Sequence, residues 1–161
     1  MTSNSGVSAQ DLVGAWRLVS YHASTDDGTP TVYPLGEDAT GFLLYTADGY
    51  MSAQIMRAGR RGYDADGPGE GSDRESADAA RGYLAYSGRY RVDENSVVWH
   101  DAEVSLFPNW VGTTVSRSAI LKGGQLELTT VKPVLFGDEY LNAVVLWERA
   151  RELGSGFESH R

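Results

Sequence analysis

Gly41-Phe42-Leu43-Leu44-Tyr45-Thr46-Ala47-Asp48-Gly49-Tyr50-Met51-Ser52-Ala53-Gln54-Ile55-Met56 places two apolar runs on either side of a four-residue Thr-Ala-Asp-Gly link. Asp-Gly between such runs is a strong short-range hairpin signal, because its backbone tolerates the positive φ that a tight turn between twisted strands requires. The same pattern extends in both directions. Upstream, Leu12 to Tyr21 alternates from Trp16 onward, with Trp16, Leu18 and Ser20 on one side and Arg17, Val19 and Tyr21 on the other; Asp26-Asp27-Gly28 then marks a turn. Downstream come Gly88 to Val92, Val97 to Leu106, Val111 to Leu121, Leu126 to Val131 and Tyr140 to Arg149. They are separated by Asp93-Glu94-Asn95, Phe107-Pro108-Asn109-Trp110, Lys122-Gly123-Gly124 and a loop around Pro133 to Asp138. Eight main strands with short links predict an all-β chain folded as an eight-stranded antiparallel up-and-down barrel, the strand count at which the interior holds one small ligand. A two-sheet sandwich is the alternative, since periodicity does not report closure.

One segment breaks the pattern. Residues 57–71 carry Arg57, Arg60, Arg61, Asp64, Asp66, Pro68 and five glycines, too polar a composition to pack in a core. Ser72 stands three residues before Glu75, a capping-box spacing, and the alanines that follow predict one helix ending near Tyr86. Such a helix is expected to cross one barrel opening with Tyr83, Leu84 and Tyr86 facing inward.

Composition narrows the chemistry. The 161 residues suit one domain, with a flexible stretch over 1–11, the barrel over 12–150 and a frayed tail over 151–161. Glycine numbers 19, well above the roughly 7% that is usual, which fits a chain of many turns. A net charge of −8 opposes binding to phosphate backbones, so no nucleic-acid partner is expected. The absence of cysteine removes thiol nucleophiles and thiolate metal sites. His22, His100 and His160 are too dispersed for a metal site, and no cofactor motif is found. Met1 to Gln10 is polar and no apolar run reaches membrane-spanning length, so a cytoplasmic protein with no membrane partner is expected.

The remaining candidates lie on strands. Val98, His100, Ala102, Val104 and Leu106 share one face, and their apolar character places His100 in the barrel interior, where desolvation keeps it neutral and available as a base. A half-buried histidine bonded to backbone is the bland alternative. Arg117 shares a face with Val111, Thr113, Val115, Ala119 and Leu121; if that face is interior, its guanidinium enters the same cavity as an anion anchor, and otherwise strand twist turns it out. Tyr50, Ser52, Gln54 and Met56 share a face that either lines the lumen, with Ser52 and Gln54 orienting a ligand, or faces solvent. Tyr45, Tyr86 and Trp110 stand near strand or loop ends as contributors to substrate binding or as packing rings.

Gly14-Ala15-Trp16 opening the first long strand resembles the G-x-W signature of lipocalins and related calycins. Tyr45-Thr46-Ala47-Asp48-Gly49-Tyr50-Met51-Ser52-Ala53-Gln54, Ser105-Leu106-Phe107-Pro108-Asn109-Trp110-Val111-Gly112 and Leu146-Trp147-Glu148-Arg149 resemble stretches of the bacterial and fungal lipocalin-like domain family, from about Leu12 to Ala150. The resemblance implies that Arg149 packs over Trp16 at the closed end. It also implies an intracellular protein associated with secondary metabolism. Two functions follow as expectations. One is a cofactor-independent cyclase, isomerase or dehydratase acting on a lipophilic, polyketide-like molecule, with His100 as base and Arg117 as anchor. The other is a non-catalytic carrier of a small hydrophobic ligand. Fold alone does not choose between them.

Overall fold

The computed structural model describes residues 6–151 except Gly28. The Thr46–Gly49 link makes the expected hairpin: β3 (Thr40–Tyr45) pairs antiparallel with β4 (Tyr50–Met56), with Leu43 opposite Ala53. From this pair the sheet grows through β5 (Tyr83–Val92), β6 (Val97–Ser105), β7 (Thr113–Lys122), β8 (Gln125–Thr130) and β10 (Glu139–Arg149). β1 (Gly14–Ser24) pairs with β3 on one side and β10 on the other, which closes the ring. The result is an all-β, eight-stranded antiparallel up-and-down barrel. Two short strands, β2 (Pro30–Val32) and β9 (Val134–Phe136), add to β1 and β10; the second occupies the stretch expected to be loop.

Alternation fills the interior. Met51, Ala53 and Ile55 from β4, Val98, His100 and Ala102 from β6, and Leu141, Ala143 and Trp147 from β10 are all buried. Two bulges interrupt this period. In β1 the register shifts between Leu18 and Ser20, so Trp16 and Leu18 point inward and, past the extra residue, Tyr21 and Ala23 do so too. In the β5–β6 pair it shifts between Ser87 and Gly88, and one extra β6 residue, Glu103, lies between the partners of Gly88 and Ser87. An extra residue inverts the faces beyond it. The expectation that Val104 and Leu106 share the His100 face is therefore corrected: Val104 is 62% exposed. Likewise Tyr21 is not on the outer face that strict alternation assigns it.

One end of the barrel is sealed. A helical turn, α1 (Ala9–Leu12), spans the boundary between the N-terminal stretch 1–11 and the barrel and buries Leu12 completely. Trp16 is fully buried, its Nε1–H donates to the Leu12 carbonyl at 2.8 Å, and the Arg149 guanidinium lies 3.9 Å from its ring centroid. Arg149 also donates to the Val13 and Asp11 carbonyls, both at 2.6 Å, so one side chain satisfies the end of α1 and stacks on the plug. Gly14 takes φ +124°, and a Cβ there would stand 2.8 Å from the Arg149 guanidinium, which accounts for the first residue of Gly-x-Trp.

The expected helix is present as α2 (Asp73–Arg81), started by Ser72, whose hydroxyl accepts from Glu75 N–H while the Glu75 carboxylate accepts from Ser72. It is shorter than the sequence suggests. Gly82 stops it, and Tyr83 to Ser87 extend β5 instead, opposite Met56 to Ser52. None of its residues is buried and none borders the lumen, so the inward-facing Leu84 and Tyr86 reach the interior from a strand rather than from a helix. No described helix is long and apolar enough to cross a membrane. The expected C-terminal tail lies outside the described residues except for Arg151.

Candidate functional site

All eight barrel strands contribute to a cavity of about 350 Å3 inside the barrel. Its wall is apolar, with Leu43, Ile55, Leu84 and Leu128 among its residues; Trp147, opposite Leu18 on β1, lies towards the plugged end, and Trp110 and Leu135 also border the cavity. That volume falls at the small end of the roughly 300–1,000 Å3 of small-molecule pockets. Polar groups enter it at few points: Tyr21, Tyr86, His100, Arg117, Thr130 and Trp147.

His100 is 1% exposed and central. Its Nε2 lies 2.8 Å from the Tyr45 hydroxyl and its Nδ1 2.9 Å from the Tyr86 hydroxyl. A neutral imidazole has one N–H and one acceptor nitrogen, so one phenol donates to the ring and the other accepts from it. Tyr45 is buried, packs on Tyr90 at 4.6 Å and has no other hydrogen-bond partner among the described residues; leaving its O–H without an acceptor would cost about 1–3 kcal/mol. The favoured chain therefore runs Tyr45 O–H to Nε2 and Nδ1–H to Tyr86. The Tyr86 hydroxyl then keeps its own hydrogen for the cavity that it borders.

Electrostatics support the neutral ring. Burial, and after it the nearby Arg117 cation, push the His100 pKa down to about 3. Burial also raises the Tyr45 phenol well above its ordinary value and raises Tyr86 and Tyr21, an effect that Arg117 opposes in all three. A histidine with folded pKa near 3 and unfolded pKa near 6.5 binds fewer protons folded than unfolded between those values, so stability falls as pH drops through that window. Urea unfolding should lose on the order of 2–3 kcal/mol from this group between pH 7 and pH 4. In His100→Gln that slope should flatten, although the variant is less stable at pH 7.

Arg117 sits on β7 opposite Val98 and Thr130 and borders the cavity, as the interior reading of its face requires. Trp110, in a 3-10 turn (Pro108–Trp110), meets the Tyr86 ring edge-on at 5.3 Å and borders the same space. Ser52 and Gln54 are not in the lumen. Their neighbours Met51, Ala53 and Ile55 occupy the inward positions of β4, which leaves Ser52 bonded to the Ser87 hydroxyl and Gln54 accepting from the Tyr83 hydroxyl on the outer face. Their expected place beside a ligand is corrected accordingly. The β6 bulge leaves Glu103 outside, 3.7 Å from Arg89.

Sequence reasoning missed Tyr21, Thr130 and Trp147 as lumen residues. Trp147 was accessible from the Leu141, Ala143, Val145, Trp147 alternation; Tyr21 was concealed by the β1 bulge. No cluster of metal-ligating side chains exists among the described residues.

Comparison with known proteins agrees with this geometry. A relative from Aspergillus oryzae (strain ATCC 42149 / RIB 40), described as 4'-hydroxy-3'-methoxypropiophenone carrier protein ppsC, is 41% identical over 110 residues, covering 64% of this chain and 99% of that protein. The family model described as lipocalin-like domain matches residues 13–150, which takes in the plugged end, the barrel and its cavity. This chain belongs to the lipocalin-like domain family.

Proposed function

We propose that the barrel is a carrier for a small, lipophilic, oxygenated aromatic molecule of the aryl ketone or phenol type, in secondary metabolism. The observation that carries this reading is the state of His100: both ring nitrogens are engaged by buried tyrosines and its pKa is about 3. A general base works best with a pKa near the operating pH, and one so weak, with no free nitrogen, is poorly suited to remove a proton from a substrate. The same ring is well suited to orient a donor, the Tyr86 hydroxyl, within an apolar wall. The similarity to a protein described as a propiophenone carrier supports the ligand class. The cyclase or isomerase reading, with His100 as base and Arg117 as anchor, requires the ring to release one of its phenols when substrate enters.

The test is titration with 4'-hydroxy-3'-methoxypropiophenone. Trp110 and Trp147 border the cavity, so saturable one-to-one quenching of tryptophan emission is the expected result. Ala143→Phe, which fills the lumen, should weaken binding at least tenfold while circular dichroism stays β-rich. Quenching that persists unchanged in that variant would place the ligand elsewhere. Mass spectrometry of the incubated ligand should return it unaltered, and turnover to a cyclised or isomerised product would reverse the choice in favour of the enzyme.

A further inference from the structure

The lumen holds a cation without an anion. Arg117 Nη1 donates to the Ser116 carbonyl at 2.9 Å, and no other hydrogen bond or ion pair of this side chain is found among the described residues. A guanidinium has five N–H donors, so most of its capacity is unused, in a position flanked by buried Val98 and Thr130. The chain has a surplus of carboxylates, yet those on the neighbouring strands face outward. Asp101 accepts from Thr114 and lies 3.6 Å from Arg91, Glu103 lies against Arg89, and Glu127 faces outward between buried Leu126 and Leu128. The titratable groups around Arg117 on its inner side are Tyr21, Tyr45, Tyr86 and His100, all neutral at neutral pH.

A second observation points the same way. Trp147 is 2% exposed, borders the cavity, and its Nε1–H is buried without a hydrogen-bond partner among the described residues. Buried donors are almost always paired, so an orphan beside a cavity marks a place for an acceptor. With the Tyr86 hydroxyl, most of the unused polar capacity of the lumen is donors, the hydroxyl oxygens of Tyr21, Tyr86 and Thr130 being its weaker acceptors. The strongest acceptor, the His100 Nε2, is occupied by the Tyr45 hydroxyl, and Nδ1 donates to Tyr86. A neutral phenol or enol brings its own hydrogen into a site with little to accept it, whereas the anion brings only acceptors and supplies the charge that Arg117 lacks.

We infer that the lumen takes its ligand as the oxyanion, a phenolate or enolate whose charged oxygen sits on Arg117 while a carbonyl oxygen accepts from Tyr86 or Trp147. This rests on the carrier reading and names its ligand more narrowly, as a vinylogous acid: a phenol or enol conjugated to a carbonyl. Binding the ionised form is a selection rule, since an O-alkylated analogue of equal size cannot supply the charge.

The probe is 4'-hydroxy-3'-methoxypropiophenone, whose conjugated phenolate absorbs at longer wavelength than the phenol, so its ionisation is read in the bound state by absorbance at saturating protein. The expected result is a bound phenol titrating about one pH unit below the free compound, equivalent to a tenfold preference for the anion. Arg117→Gln should bring the titration to or above the free value, and Arg117→Lys, which keeps the charge, should retain part of the shift. At pH 8, 3',4'-dimethoxypropiophenone should bind wild type at least tenfold more weakly than the probe. A probe that quenches tryptophan emission saturably yet titrates at or above its free value in wild type would overturn the inference and leave the carrier reading standing. Absence of quenching by either compound would remove both.

Discussion

Trp16→Ala is expected to lower the unfolding free energy by about 3–5 kcal/mol, the range for truncating a large aromatic in a packed core. Trp16 has no exposure, and three dependent interactions disappear with it. The Leu12 carbonyl loses its Nε1–H donor, fully buried Leu12 loses the ring beneath it, and Arg149 loses the face over which it is stacked at 3.9 Å. Because Arg149 also bonds the Val13 and Asp11 carbonyls, the loss spreads to α1 and to the β1–β10 closure, where Trp16 lies opposite Arg149. Urea unfolding monitored by far-ultraviolet circular dichroism gives the magnitude. Trp16→Phe separates the contributions: it keeps most of the packing and removes the hydrogen bond, so it should cost less than half as much. A Trp16→Ala protein within 1 kcal/mol of wild type would mean that the plug does not support the barrel.

Gly88→Val is the second large effect, expected at about 3 kcal/mol or more. A Cβ at Gly88 would collide with the Asp101 carbonyl oxygen and stand 2.9 Å from the Glu103 nitrogen, both of them backbone atoms of β6 that cannot swing aside. This close approach belongs to the bulge at Glu103, which sets Tyr86 opposite Ser105 and leaves Gly88 opposite Ala102. Forcing β6 away should therefore weaken ligand binding as well as stability, since Tyr86 and His100 meet across this pair at 2.9 Å. Gly62→Ala is the control. A Cβ at Gly62 meets nothing within 4 Å, and its cost should stay within about 0.5 kcal/mol. Equal effects of the two substitutions would contradict the account of the bulge.

The fold was legible because its signals are local. Asp48-Gly49 required a hairpin, Ser72 and Glu75 required a helix start, and the alternation of Val98, His100 and Ala102 declared an inner face, each within a few residues of chain. The plugged end that the resemblance to lipocalins implied for Gly14-Ala15-Trp16 and Arg149 is present as well. Where two parities were equally apolar the sequence was ambiguous, as in Tyr50 to Met56, and packing of Met51, Ala53 and Ile55 decided which set went inside. Alanine content predicts a helix ending near Tyr86, but pairing of Tyr83 to Ser87 with β4 outweighs that propensity.

What the chain determined by itself is the alternation of each strand, the turns between them, and the presence of one histidine and one arginine on adjacent strands. What only the tertiary structure decided is their company. The bulges at Val19 and Glu103 are relations between two strands, not properties of either, and they set Tyr21 inside and Val104 and Glu103 outside. Closure of β1 on β10 brings Tyr21 and Trp147 into the space that His100 and Arg117 share, and the curvature of the ring sets Tyr45 and Tyr86 on opposite nitrogens of one imidazole. Periodicity along a strand fixes which way a side chain points, but only the geometry across strands fixes what it meets, and here that second factor turns a candidate base into the hub of a donor array.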